Sequence, residues 1–274
     1  MPTHRHPKTP TPIRSTRCPT TWCGDVIPVA HRARAQGPGT ARPVLVLLPG
    51  LEATGLLLDE FVTALTARFD VHLLTYPRDR ALGYAELTDY VRDRLPRRPY
   101  VLVAESFSGP IALRLAAQGG PDLRGVVLAA SFATLPLPVK PLLSTLASWV
   151  SPRRVPIGVV SAVLWGRWAN SEREALLARS LALVEPTVLS ARVRAALSVS
   201  VDLAALPARL PLIYLQAACD RLITGSAARR IQRERPSTKL RRFDAPHFLL
   251  QVRPAECAAE IEAFVDGLQL SRDE

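Results

Sequence analysis

The 274-residue sequence predicts an α/β fold in which a mostly parallel central sheet carries helices on both faces. Three observations lead there. Short, continuous apolar runs of strand length alternate with longer amphipathic stretches rich in Ala, Leu and Arg, as expected of strands buried on both faces and joined by crossover helices. A hydrophobic fraction of 48% supplies a large core. One stretch, YVLVAESFSGPIALRLAA at residues 100–117, passes from strand pattern to helix pattern with almost no loop between them.

The strand-like runs fall at Val44–Leu48, Val71–Thr75, Tyr100–Ala104, Val126–Ala130 and Leu212–Ala217. Helical stretches near 57–68, 84–95 and 107–118 separate the first four, which implies right-handed crossovers into one parallel sheet. A last unit has a helix near 225–235, a strand near 238–243 and a closing helix from about 254 to 268. Between Ser131 and Leu206 the alternation stops, and helical pieces are punctuated by Pro136, Pro138, Pro141, Pro152, Pro156 and Pro186. An interruption of this length between two strands reads as a helical cap rather than a loop. The expected organisation is a basic, Pro/Thr-rich disordered segment over 1–40, a core over 41–131 and 207–270, and a cap insertion over 132–206.

Composition narrows the function classes. The formal charge is +11, but Lys occurs only at Lys8, Lys140 and Lys239, and the arginines are spread along the chain as isolated residues and pairs. Without interleaved aromatics these read as solvated helix faces, and no nucleic-acid partner is expected. The four cysteines, Cys18, Cys23, Cys219 and Cys257, have no metal-ligand spacing, so reduced thiols, no metal and a cytoplasmic setting are expected. No apolar run reaches the length of a membrane span, and no stable membrane insertion is expected.

In a parallel sheet, reactive groups gather at the carboxyl ends of the strands, and Ser106 stands at such an end. A serine held on a sharp strand-to-helix turn tolerates only small residues two positions to either side, and Ala104 and Ser108 are small. Ser108 is a poorer nucleophile candidate because Pro110 follows it at the same spacing. A hydroxyl needs a base, and of the five histidines His4, His6 and His31 lie in the lead-in while His72 lies inside a strand. His247 remains, on the loop after the last strand. Asp220 follows the strand at Leu212–Ala217 and is the candidate orienting acid, with Asp202 as an alternative. Gly50, after the first strand, lets the chain swing so that the Leu51 N–H can join the Phe107 N–H as an oxyanion hole.

With these residues in view, the chain over 43–268 resembles the α/β-hydrolase superfamily. The resemblance lies in LPGLEATG, AESFSG, ACDRLIT and APHFLLQVRPAECAAEIEAFV, and the last of these is the most specific. Pro49 stands where many members have His, and the elbow lacks both flanking glycines. The resemblance implies an α/β-hydrolase fold with Ser106 as nucleophile, His247 as base and Asp220 as acid. The expected activity is cofactor-independent hydrolysis of a carboxylic ester or thioester through an acyl-enzyme. The same triad serves acyl transfer, cofactor-free perhydrolysis and lyase chemistry, and a non-catalytic binding protein on this fold is the reading from another class. The apolar stretches of the insertion point to a small-molecule substrate with an apolar acyl group, met by Trp149, Trp165 and Trp168.

Overall fold

A computed structural model describes residues 26–28, 42–135 and 155–270. Seven strands form one sheet: β1 (Val26–Pro28), β2 (Val44–Leu48), β3 (Asp70–Leu74), β4 (Tyr100–Glu105), β5 (Leu123–Ala129), β6 (Leu212–Ala217) and β7 (Lys239–Phe243). Their spatial order is β1-β3-β2-β4-β5-β6-β7. The six strands from β2 to β7 are mutually parallel, and β1 runs antiparallel on the edge of β3.

The edge strand differs from the sequence expectation, which assigned residues 1–40 to a disordered segment. Val26–Pro28 pairs with His72–Leu74. Three residues are too few to display a period, and their pairing comes from the open edge of β3, which the local sequence does not reveal. The rest of the expected disordered segment lies outside the described residues.

Strand alternation divides the core in two, because successive side chains point to opposite faces. Val44, Val46 and Leu48 of β2 join Leu102 and Ala104 of β4 and Val126 and Leu128 of β5 on one face. There they meet α2 (Tyr84–Arg92) and α3 (Gly109–Gln118). Leu45, Leu47, Val101, Val103 and Val127 point the other way, against α1 (Asp59–Thr66) and the closing helix, Pro254–Leu270. Both faces of the central strands are therefore dry, which is why they read as unbroken apolar runs.

Between β5 and β6 stand α4 (Ile157–Leu164), α5 (Ser171–Ala182) and α6 (Pro186–Ser198), followed by α7 (Gly225–Glu234) after β6. Asn170 caps α5 by accepting the Arg173 N–H at 2.8 Å. The two chain ends of this insertion are stapled together. Thr134 and Ser200 form an isolated antiparallel bridge, their hydroxyls lie 2.9 Å apart, and Val201 N–H donates to Ala133 O at 3.1 Å. After β7, a short helix, α8 (Leu249–Val252), precedes the closing helix α9 (Pro254–Leu270).

The strand order places β3 on one side of β2 and β4 on the other. The connections after β2 and β4 thus diverge, and a crevice opens at the carboxyl ends of these two neighbours, where ligands bind in open α/β sheets. Leu48 lies in register with Ala104, so the chain leaves both strands at one level.

Candidate active site

Ser106 occupies the first position after β4 with φ +47°, a left-handed conformation rare for a residue with a Cβ. Such a backbone stores about 1–3 kcal/mol and persists only where its surroundings enforce it. The enforcing contacts are specific. Ser131 Oγ, just past β5, donates to Ser106 O at 2.5 Å, and Ser131 is itself bonded to the Tyr214 hydroxyl through both its N–H and its carbonyl. Tyr84 Oη donates to Phe107 O at 2.9 Å, and its ring stacks on Phe107 at 4.9 Å. Gly109 allows α3 to start this close to β5, since a Cβ there would strike Ser131 Oγ.

Ser106 Oγ lies 2.8 Å from His247 Nε2, and His247 Nδ1 lies 2.8 Å from Asp220 Oδ2. The side chains of His247 and Asp220 are 3% and 1% exposed, so their pairing is shielded from water. The second carboxylate oxygen of Asp220 accepts the N–H groups of Leu222 at 2.8 Å and Ile223 at 2.7 Å, which fixes the rotamer of the acid. Burial pushes the imidazole down. The Asp220 charge and hydrogen bond, with the Glu105 charge behind them, outweigh burial and hold His247 above its ordinary value.

The other serine of the elbow is differently placed. Ser108 is fully buried, its hydroxyl donates to Pro49 O, and its oxygen lies 2.6 Å from the Tyr76 hydroxyl. It ties the elbow to the loop after β2. Asp202, the alternative acid, accepts the Ala204 N–H at 2.9 Å and caps a short turn instead. His72 lies in β3 with its ring 3.3 Å from Asp70.

The loop after β2 brings Leu51 to the same crevice. Leu51 and Phe107 N–H have no described carbonyl or side-chain partner outside their own turns. Trp165 is buried against Phe248, the residue after His247, with ring centroids 4.5 Å apart, and shares a cluster with Leu57 and Leu177. Trp168 is half-buried, with the Arg167 guanidinium 4.1 Å from its ring centroid. Trp149 lies outside the described residues.

Two site residues escaped the sequence reading. Glu105, between Ala104 and Ser106, is buried, accepting Gly50 N–H at 3.0 Å on one oxygen and Gln251 Nε2 at 2.7 Å on the other. Burial raises its carboxyl, while the Gln251 bond, the His247 charge and the Gly50 bond pull it back. A carboxylate ending a wholly apolar strand was a visible signal, because a buried charge demands partners. Arg192, on α6, gave no signal at all. It donates to Leu51 O at 2.7 Å, Glu52 O at 3.1 Å and Pro77 O at 2.8 Å.

A groove of about 720 Å³, lined by Val44, Tyr100, Leu123 and Leu210 among others, lies at the amino ends of the strands, away from Ser106. Among the described residues no group of three or more His, Cys, Asp or Glu is placed to hold a metal ion, and no helix is long and apolar enough to cross a membrane.

A parallel sheet with a strained strand-to-helix turn at its switch point defines a protein of the α/β-hydrolase class. Residues 45–260 match the model of the alpha/beta hydrolase family, and the chain belongs to that family. Among solved structures it is similar to a hydrolase from Pseudomonas aeruginosa PA01, at 19% identity and TM-score 0.71, over 82% of this chain and 90% of that one. It is also similar to the enol-lactonase from Burkholderia xenovorans LB400, at 16% identity and TM-score 0.70, over 83% and 92%. A thermophilic esterase from Thermogutta terrifontis shares 18% identity at TM-score 0.67, over 84% and 91%. At these identities the likeness is one of fold. No curated protein matches the chain.

Proposed function

We propose that the protein is a serine hydrolase that cleaves a carboxylic ester or thioester through an acyl-enzyme. The observation that carries this reading is the chain of two 2.8 Å contacts from Ser106 Oγ through His247 to Asp220, built on a serine with positive φ. Ser106 Oγ attacks the carbonyl carbon as His247 Nε2 takes its proton. Asp220 holds the Nδ1–H and stabilises the imidazolium that results. The N–H groups of Leu51 and Phe107 receive the oxyanion. Collapse of the tetrahedral adduct expels the alcohol or thiol, which takes the proton from His247. Water, deprotonated by the same imidazole, then releases the acid and restores Ser106. The buried cluster of Leu57, Trp165 and Phe248 beside His247 supports an apolar acyl group as the preferred substrate portion.

The test is a chain-length panel of p-nitrophenyl esters and acyl thioesters run on wild type, Ser106→Ala and Asp220→Asn. Ser106→Ala loses on the order of 10⁴-fold or more in kcat, because triad members act as a unit. Asp220→Asn keeps its fold and loses several orders of magnitude. Catalysis needs neutral imidazole, so wild-type activity rises along a single limb whose midpoint lies above the ordinary histidine value. Full activity in Ser106→Ala, or a fluorophosphonate that still labels it, rejects the assignment.

A further inference from the structure

Arg192 comes from the insertion and is 1% exposed, yet all three of its described hydrogen bonds go to main-chain carbonyls of the core. Two of them are on the loop that carries Leu51. The polar groups of this loop are taken in succession. Ser108 Oγ bonds Pro49 O, Glu105 accepts Gly50 N–H, Ala53 N–H bonds Gly50 O at 3.1 Å, and Arg192 holds both Leu51 O and Glu52 O. A peptide unit is planar and trans, so the bond to Gly50 O leaves the Leu51 N–H pointing the opposite way within the same plane. The next plane, which begins at Leu51 O, is set by Arg192. The two planes meet at the Leu51 Cα, and the direction of its N–H depends on both. A second tie from the insertion lies three residues on, where the Thr54 and Ser180 hydroxyls are 2.7 Å apart.

We propose that Arg192 is a positioning residue for oxyanion stabilisation, through which the insertion holds the Leu51 N–H in place. The insertion is then part of the catalytic frame and more than a cover over the acyl group. This rests on the serine-hydrolase reading above. Lysine keeps the charge but offers a single point donor where the guanidinium forks to three carbonyls, so Arg192→Lys is the discriminating change.

A trifluoromethyl ketone reports on the hole without turnover. Ser106 Oγ bonds to the ketone carbon, the carbonyl electron pair moves to oxygen, and the serine proton passes to His247. The pKa of the hemiketal oxygen, followed by ¹³C NMR, measures how well donors stabilise its anion. In Arg192→Lys, kcat falls about 10- to 100-fold with KM within about three-fold, as when an interaction made in the transition state is weakened. The hemiketal pKa rises by about one unit or more. Arg235→Lys is the control, since Arg235 is also buried and bonds the carbonyls of Leu206, Pro207 and Leu210, outside the site. It lowers the melting temperature and leaves both readouts unmoved.

Unchanged kcat and hemiketal pKa in Arg192→Lys overturn the proposal, whatever happens to its melting temperature. Should that variant not fold, hydrogen exchange on wild type decides. The proposal requires residues 50–54 and helix Pro186–Ser198 to open with one free energy, and independent opening overturns it. A wild-type protein that the ketone leaves unmodified is a different result, which removes the serine-hydrolase reading and this proposal with it.

Discussion

Glu52 shows how tightly the site is built. It is 5% exposed and one of its oxygens has no described partner. Burial first, and the neighbouring Glu105 charge second, push its carboxyl from 4.5 up to about 7, against backbone bonds and the Arg192 charge. An acid whose pKa is higher folded than unfolded keeps its proton longer in the folded state. Stability therefore falls as pH rises from 4.5 to about 7, and stays reduced above that range. The full loss is about 3 kcal/mol. Glu52→Gln removes the charge, so urea melts at about pH 5 and about pH 8 should find the variant gaining on wild type by up to that amount. Parallel pH dependence in the two proteins would show that Glu52 does not carry this cost.

At the scale of elements, the turn between β4 and α3 depends on a missing side chain. Gly109→Ala would push a methyl group into Ser131 Oγ and toward Phe132 O, 3.3 Å from the ideal Cβ position. Ser131 would have to release Ser106 O, and the positive φ of Ser106 would lose a constraint. The expected loss is about 1–3 kcal/mol of stability together with slower fluorophosphonate labelling per folded molecule. Labelling at the wild-type rate would show that Ser131 is not needed to hold the elbow. Much of this turn is legible in the sequence, because the change of hydrophobic period between Tyr100 and Ala117 leaves no room for a loop. The central parallel strands β2, β4, β5 and β6 are legible for a related reason, since strands buried on both faces are written as nearly unbroken apolar runs. Strand β7, which reads KLRRF and is mostly exposed, is placed instead by its position between two helical stretches. Ser106, Asp220 and His247 could be singled out because each follows a strand at its carboxyl end, and the structure brings their side chains within hydrogen-bonding distance. Long-range pairing was not legible. The strand at Val26–Pro28, the bond from Gln251 to Glu105 and the grip of Arg192 on Leu51 O join residues far apart in sequence, and no local pattern encodes them.

At the scale of the whole molecule, the sheet is continuous while the chain that builds it is interrupted. Strands β2 to β5 are complete by Ala129, and β6 begins only at Leu212. The insertion returns to its starting point through the Thr134–Ser200 bridge, so the second part of the sheet is delivered to the edge of β5. That edge is fully buried in the finished protein, with Val126 to Ala129 inaccessible to water. Opening the bridge therefore weakens the docking of β6 as well as the insertion. A Thr134→Val, Ser200→Ala double variant should lose about 1 kcal/mol in chemical denaturation, mostly as faster unfolding. An unchanged unfolding rate would place the cohesion of the two halves elsewhere.

The separation of 141 positions between Ser106 and His247 carries one more consequence. During synthesis Ser106 emerges early, but His247 follows only after β5, the insertion and two further strands. Gln251, which braces the elbow through Glu105, comes later still. Domains fold as units as they leave the ribosome, so for about half of its translation a growing chain holds Ser106 without its histidine partner. Under the serine-hydrolase mechanism proposed above, reactivity toward acyl groups is thereby postponed until the polypeptide is nearly finished. Stalled chains that expose residues through Ala217 should ignore a fluorophosphonate, and chains that expose Leu270 should react.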